Sequence, residues 1–306
     1  MSYTDFLCYF SLLWQFAFPN VHLCQQSNST TMKIVPFLHQ TCRNSIYPQS
    51  NVRRFPVPDH LIAWIEKYDE YKPEFYESPG LIGKPWADPS INDVDFHPKW
   101  NAIDGKIDRT TFHGKYEIRD NYPLNVAGRT GITGRGLLGR WGVNHAADPI
   151  VTRWKRNVDG TIVENVSSGK NILQMVAIQR RDNHQWAIPG GMVDAGEKAT
   201  ATLKREFIEE AMNSNKTHEI EQFFDEKGIE VYSGYVDDPR NTDNAWMETT
   251  AYNFHDDSGD TLNHIKFEAG DDAGSVKWLD VDERNKLYAS HQDIVKRVAT
   301  RLNAHW

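Results

Sequence analysis

The sequence predicts an α/β fold: a mixed sheet held between helices, preceded by a small irregular domain. Three observations carry this reading. From residue 150 onward, short apolar runs rich in β-favouring residues alternate with two amphipathic helical stretches. Residues 59–127 show neither period; they are rich in Pro, Tyr, Trp and Asp. The 306 residues, 39% hydrophobic and 12% aromatic, suit an ordinary globular protein of one large or two modest domains.

The elements follow in order. Residues 1–58 are expected to be a leader or targeting segment. Residues 6–18 are apolar enough for a signal-peptide core, but Asp5 and no Lys or Arg precede them. Residues 32–58 carry Lys33, Arg43, Arg53 and Arg54 and no acid, the composition of a mitochondrial presequence with Met32 as an alternative start. The expected location is mitochondrial, with the secretory pathway through residues 1–24 or the cytoplasm as alternatives. Residues 59–148 are expected to form the small domain, broken by seven prolines between Pro58 and Pro123. Within them, 128–149 hold six glycines and three arginines. This stretch either lets backbone approach a phosphate or links two domains. No Gly-Lys-Ser/Thr follows it, so it is no Walker motif.

Residues 149–306 are expected to form the main domain. Strands are predicted at 172–180, 229–236, 246–254 and 275–279, with a short apolar run at 186–188 stopped by Pro189-Gly190-Gly191. Residues 197–212 lack Pro and Gly, and Leu203, Phe207 and Ala211 form one apolar stripe. A second helix at 291–303 shows Ile294, Val295, Val298 and Leu302 on one face. Trp246 and Trp278 fall in strands, where core packing is expected.

Charge narrows the function. The net charge is −8, and residues 1–58 contribute +3, so the body carries −11. An acidic body argues against a nucleic-acid partner, and a polyanionic substrate would need a metal and local arginines. Cys8, Cys24 and Cys42 all precede residue 59. A body starting there would hold no disulfide, zinc–thiolate site or cysteine nucleophile. No apolar run is long enough to span a bilayer. The chain is expected to act as a monomer on a small molecule, without a membrane partner.

The chemistry concentrates at 191–210. Glu206, Glu209 and Glu210 fall within about a third of the circumference of their helix. Like charges at such spacing destabilise a helix, and a divalent cation would offset them. A solvated acidic face is the plainer alternative. Gly191, Glu197, Arg205, Glu206, Phe207, Glu209 and Glu210 match the pattern G-x5-E-x7-R-E-U-x-E-E-x-G-U, where U is a large apolar residue. Met212 and Asn213 depart from it. On this pattern the chain resembles the Nudix hydrolases. The strings GRTGITGRGLLGRWG at 128–142, NHAADP at 144–149, TRWKR at 152–156, GYVDDPRNTDNAWMET at 234–249 and EAGDDAG at 268–274 resemble one branch of that family. It is the mitochondrial ADP-ribose pyrophosphatase branch, related to the cytoplasmic domain of an ADP-ribose-gated cation channel.

The resemblance implies an α/β/α Nudix sandwich that hydrolyses ADP-ribose to AMP and ribose 5-phosphate with Mg²⁺, which Mn²⁺ can replace. It implies Glu197, Glu206, Glu209 and Glu210 as metal ligands, with Arg205 fixing the carboxylates by ion pairing. Asp238, Arg240, Asn144, His145 and His291 match segments near the ligand. Plainer roles exist: Asp238 and Arg240 can simply pair, and His145 can cap a helix. The base that activates water is expected in the acidic loop, at Glu268 or Asp271. A plain turn there, or a box glutamate orienting the water, are alternatives. Two rival functions stand: hydrolysis of another nucleoside-diphosphate sugar or dinucleotide, and non-catalytic ADP-ribose sensing. The intact Arg205-Glu206-Phe207 run argues against the sensor, since vertebrate channel domains have lost it.

Overall fold

The expected alternation of strands and helices takes shape as one five-stranded path. The computed structural model describes residues 39–212, 218–262 and 273–306. Strands β1 (Glu74–Glu77) and β2 (Ile132–Gly136) pair in parallel. The main sheet is built from β3 (Gly142–Trp154), β4 (Leu173–Arg180), β5 (Trp186–Ala187), β6 (Gly191–Met192), β7 (Gly228–Tyr235), β8 (Ala245–Asp256) and β9 (Ala273–Asp280). Its order is β7-β8-β3-β4-β9, with β6 on β3 and β5 on β4. β8 runs parallel to β3, and the other pairs are antiparallel, so the sheet is mixed as expected.

Period-2 alternation gives β3 and β4 two apolar faces. Ala147, Val151 and Val176 pack beneath α1 (Ala199–Met212) and α2 (His218–Lys227), against Leu203, Phe207, Ala211, Phe223 and Phe224. Ile150, Met175 and Ala177 face the other way, against Ile294, Val295 and Val298 of α3 (His291–Arg301). The result is the α/β/α sandwich. Both predicted helices and all four main predicted strands are present within two or three residues of their expected ends. Trp246 is fully buried in the core, as expected.

Two expectations are corrected. The division at 148/149 falls inside β3, the longest strand, and residues Pro36–Trp306 form one unit. Pro149 and the upstream glycines argue against a central strand. Pro149 is tolerated because β3 changes partner there: Ala146 and Ala147 pair with β6, while Thr152 to Trp154 pair with β4. The glycines serve backbone packing. Gly131 has φ +88°, and a Cβ there would come within 2.2 Å of the Phe55 carbonyl. Gly134, also at +88°, would meet the Tyr76 carbonyl at 2.4 Å. Only glycine permits such an approach.

Residues 39–58, expected to belong to the leader, pack into the body. Cys42, Tyr47 and Val57 are fully buried in the body. Arg43 donates to the Val57 carbonyl and pairs with Asp59. Arg54 donates to the carbonyls of Thr130 and Pro239. These two arginines are buried struts, so half of the Lys and Arg residues between 32 and 58 serve packing, while Arg53 is exposed. Cys42 thereby enters the body, which was expected to hold no cysteine.

Candidate functional site

The site begins with two glycines. After β5 the chain turns through Pro189 and Gly190 into β6. A Cβ on Gly190 would stand 2.2 Å from Asp148 Oδ1, and one on Gly191 would stand 2.3 Å from Glu206 Oε1. Glycine at both positions lets the turn lie between β3 and the acidic face of α1. That closeness buries Glu206, and burial pushes its pKa up to about 7 against the opposing pull of Arg205. The helix is otherwise amphipathic as predicted; Glu206 alone among its acids is drawn inside.

Arg205 organises the other carboxylates. Its Nε and Nη2 donate to Glu197 Oε1 and Oε2, both at 3.0 Å. Its Nη1 donates to Glu206 Oε1 at 2.8 Å and to Glu209 Oε2 at 3.2 Å. Nη2 also reaches the Met192 carbonyl at 3.2 Å. Glu197 further accepts from Thr202 Oγ1 at 2.8 Å, and the Arg205 hydrogen bonds hold its pKa below the usual carboxylate range. Glu210 turns to the strand: its Oε2 accepts the Gly190 N–H at 2.8 Å. The carboxylates are thus spread around one guanidinium and one backbone N–H rather than drawn to a point.

With all four glutamates ionised against one arginine, this cluster would carry −3, and burial already opposes the charge on Glu206. Hard oxygen donors in that number suit a hard divalent cation, which would relieve both the repulsion and the desolvation of Glu206. The donor chemistry therefore fits the metal that the sequence implied.

A cavity of about 570 Å³ abuts this cluster at Asp194, Gly196 and Glu197. Its far wall comes from the irregular region, including Trp86, Lys106 and Asp108, and Arg240 also lines it. Glu206, Glu209 and Glu210 are not part of the lining. The carboxylates lie at one end of the cavity, next to Asp194, Gly196 and Glu197 of its lining.

Arg240 and Asp238 form a forked pair, Nε to Oδ1 and Nη2 to Oδ2, both at 2.8 Å. Tyr288 donates to the same carboxylate at 3.2 Å. Burial would raise the pKa of Asp238, but the Arg240 charge and hydrogen bonds outweigh it and lower it. So Asp238 orients Arg240, and Nη1 of Arg240 stays outside the fork. Asn144 lines the cavity, yet its amide is used locally. It accepts the Arg140 N–H and donates to the carbonyls of Arg140 and Gly142. His145 lies on β3 rather than capping a helix; its Nε2 bonds the Thr110 carbonyl at 3.0 Å. His291 opens α3, and its Nδ1 accepts the Ile188 N–H at 3.0 Å outside the cavity lining. Glu268 and Asp271 lie outside the described residues.

The sequence reading missed four contributors. Asp148 is buried, accepts from Thr249 Oγ1 at 2.6 Å and lies so close to Gly190 that a side chain there would meet its carboxylate. Its position just before a proline was the available signal. Glu248 is fully buried and accepts from Thr111, the Phe112 N–H and Trp246. It pins the loop that reaches His145. Trp86 and Lys106 come from a stretch without periodicity, which offered no signal.

Comparison with known proteins gives two matches, one on either side of residues 143–155. Residues 57–142 match the family model described as NUDT9-like, N-terminal domain, and residues 156–298 match that of the NUDIX domain. The chain is 52% identical over 278 residues to the mitochondrial ADP-ribose pyrophosphatase of Rattus norvegicus, covering 88% of this chain and 79% of the relative. It is 49% identical over 263 residues to nudix hydrolase 6 of Caenorhabditis elegans, covering 85% and 96%. It is 36% identical to transient receptor potential cation channel subfamily M member 2 of Mus musculus, covering 88% of this chain but 18% of the channel.

Proposed function

The chain belongs to the Nudix hydrolase family, and we propose that it hydrolyses ADP-ribose to AMP and ribose 5-phosphate with Mg²⁺. The observation that supports this reading best is the cluster of three glutamates on Arg205, with Glu210 held beside it by the Gly190 N–H, at the rim of a cavity that Arg240 also lines. Water adds across the P–O–P bridge, one phosphorus takes the hydroxyl, and the other leaves as a monophosphate. Glu206, Glu209 and Glu210, with Glu197, would hold the cation, which supplies charge neutralisation on the phosphate oxygens. Mn²⁺ would serve with the same oxygen donors.

The chain's own groups have separable tasks. Arg205 holds Glu197, Glu206 and Glu209 in place. The Gly190 N–H fixes Glu210. Arg240, braced by Asp238, donates to a phosphate or ribose oxygen. The cavity excludes water from the nucleoside end of the ligand. The rat relative's name carries ADP-ribose as substrate and mitochondria as location, and both come to this chain as part of the same proposal. Among the described residues, no helix is long and apolar enough to cross a membrane.

The test is kcat/KM across ADP-ribose, other nucleoside-diphosphate sugars and dinucleotides, because the glutamates set the chemistry while the cavity sets the leaving group. ADP-ribose should lead by at least about 10-fold, the scale of one lost or gained contact. A flat profile would replace this reading with that of a general diphosphatase.

A further inference from the structure

Cys42 is fully buried where the first described residues meet the end of β7. Its Sγ lies 3.0 Å from His39 Nδ1 and 3.6 Å from the Tyr235 hydroxyl. Asp237 closes the group from the other side. Its Oδ1 accepts the Cys42 N–H at 3.0 Å, and Oδ2 accepts those of Gln40 and Thr41, each at 2.7 Å. A His39 nitrogen, the Cys42 sulfur and an Asp237 oxygen all lie within 4.8 Å of one another, the one trio of such ligands among the described residues.

Two further facts set this trio apart from ordinary packing. His39 Nε2 is buried and has no hydrogen-bond partner among the described residues, so one of the two ring nitrogens is left unsatisfied. Asp237 makes no ion pair among the described residues; its carboxylate accepts three backbone N–H groups and lies beside His39, Cys42 and Tyr235, while the charges of Arg43 and Arg54 also act on His39. A neutral imidazole, a thiolate and a carboxylate together carry −2, which one divalent cation cancels. Sulfur and imidazole are soft and borderline donors, unlike the all-oxygen set on α1.

We propose that His39, Cys42 and Asp237 form a structural site for a thiophilic divalent cation of the zinc class. Binding breaks the Cys42 S–H bond, joins Sγ to the cation and releases the proton to solvent; no electron is transferred. The Tyr235 hydroxyl or a water completes a tetrahedral set. The site staples residues 39–42 to the loop that begins at Asp237 and carries Asp238 and Arg240. It therefore stiffens one wall of the cavity without touching the reacting phosphates.

The test uses the full chain. Protein prepared with zinc and passed through a desalting column should retain about one equivalent per chain, as a structural site does. Protein loaded with cobalt should show a thiolate-to-cobalt charge-transfer band that excess Mg²⁺ leaves unchanged, since Mg²⁺ competes at carboxylates and not at sulfur. Cys42→Ser should abolish the band. Should that variant fail to fold, His39→Gln keeps the thiol and should weaken zinc binding at least about 10-fold, the lower end of what even an outer-shell partner costs. Absence of retained zinc together with absence of a thiolate band in the unaltered chain would overturn the proposal and leave a buried thiol hydrogen-bonded to an imidazole.

Discussion

Arg109 and Arg205 each gather carboxylates, and the two gatherings differ in charge balance. Arg109 forks onto Asp88 at 2.8 and 3.0 Å and reaches Asp104 at 2.9 Å, while Arg140 adds a second cation to Asp88. Two arginines meet two aspartates, so that cluster is neutral, and the Arg109 and Asp88 side chains are each 1% exposed. Arg205 instead pairs with three glutamates, Glu197, Glu206 and Glu209, with Glu210 close by, and its side chain is 30% exposed. The first cluster is closed and satisfied, and it stabilises the irregular region. The second keeps a surplus of negative charge at the edge of a cavity, which is useful only to something cationic that arrives from outside. Charge surplus, rather than the presence of ion pairs, separates a site from a strut.

The comparison makes ordered predictions. The largest effect should come from Asp88→Ala, which leaves Arg109 buried without its main partner. Breaking such a pair costs about 3–5 kcal/mol, read from urea unfolding. The kcat of the protein that remains folded should not change. A loss below about 1 kcal/mol, the worth of a surface pair, would place the Arg109 cluster with surface ion pairs.

At the open cluster the pattern should invert. Glu210→Gln keeps volume and removes one ligand charge. We expect kcat to fall at least about 10²-fold with the unfolding midpoint nearly unchanged. Near-normal turnover at saturating Mg²⁺ would remove Glu210 from the metal ligands.

Arg240 is the intermediate case: its partner Asp238 is buried, while its own side chain is 28% exposed and lines the cavity. Arg240→Ala should raise KM for ADP-ribose by about 10- to 100-fold, equivalent to a charge-assisted hydrogen bond of roughly 1.5–3 kcal/mol. Stability should fall too, because Asp238 loses its partner. A drop in stability with KM unchanged would make the pair purely structural.

The smallest effect is expected at Gly191. An added methyl would meet the Glu206 carboxylate at 2.3–2.4 Å. That carboxylate is the end of a flexible side chain and can swing away. Gly191→Ala should therefore lower kcat by about 10-fold, a misplacement effect, at little cost in stability. An unchanged kcat would show that the buried position of Glu206 is not required.

Much of the fold was legible because its signals are local. The strands at 173–180, 228–235 and 245–256 and the two predicted helices announce themselves by periodicity and by breakers at their ends. β3 did not, because Pro149 and the glycines before it imitate a loop; only the partner switch along the strand explains them. The extent of the leader was misread for a related reason. A segment of buried arginine struts has the same acid-free composition as a presequence, and Arg43 and Arg54 differ from targeting residues only in their distant partners. At the site, the glutamates and Arg205 were legible because the motif places them within one turn and one helix. Asp148, Glu248 and the Trp86–Lys106 wall were not. Their partners lie about 100 residues or more away, or they sit in a stretch with no period.

The central claim is that the surplus charge around Arg205 marks a metal-dependent diphosphatase acting on ADP-ribose. Product analysis of the full chain incubated with ADP-ribose, with and without Mg²⁺, tests it most directly. The account predicts AMP and ribose 5-phosphate in equal amounts with the cation present and neither product once the cation is chelated. ADP-ribose that binds and is recovered intact in the presence of Mg²⁺ would contradict it and make the chain a sensor.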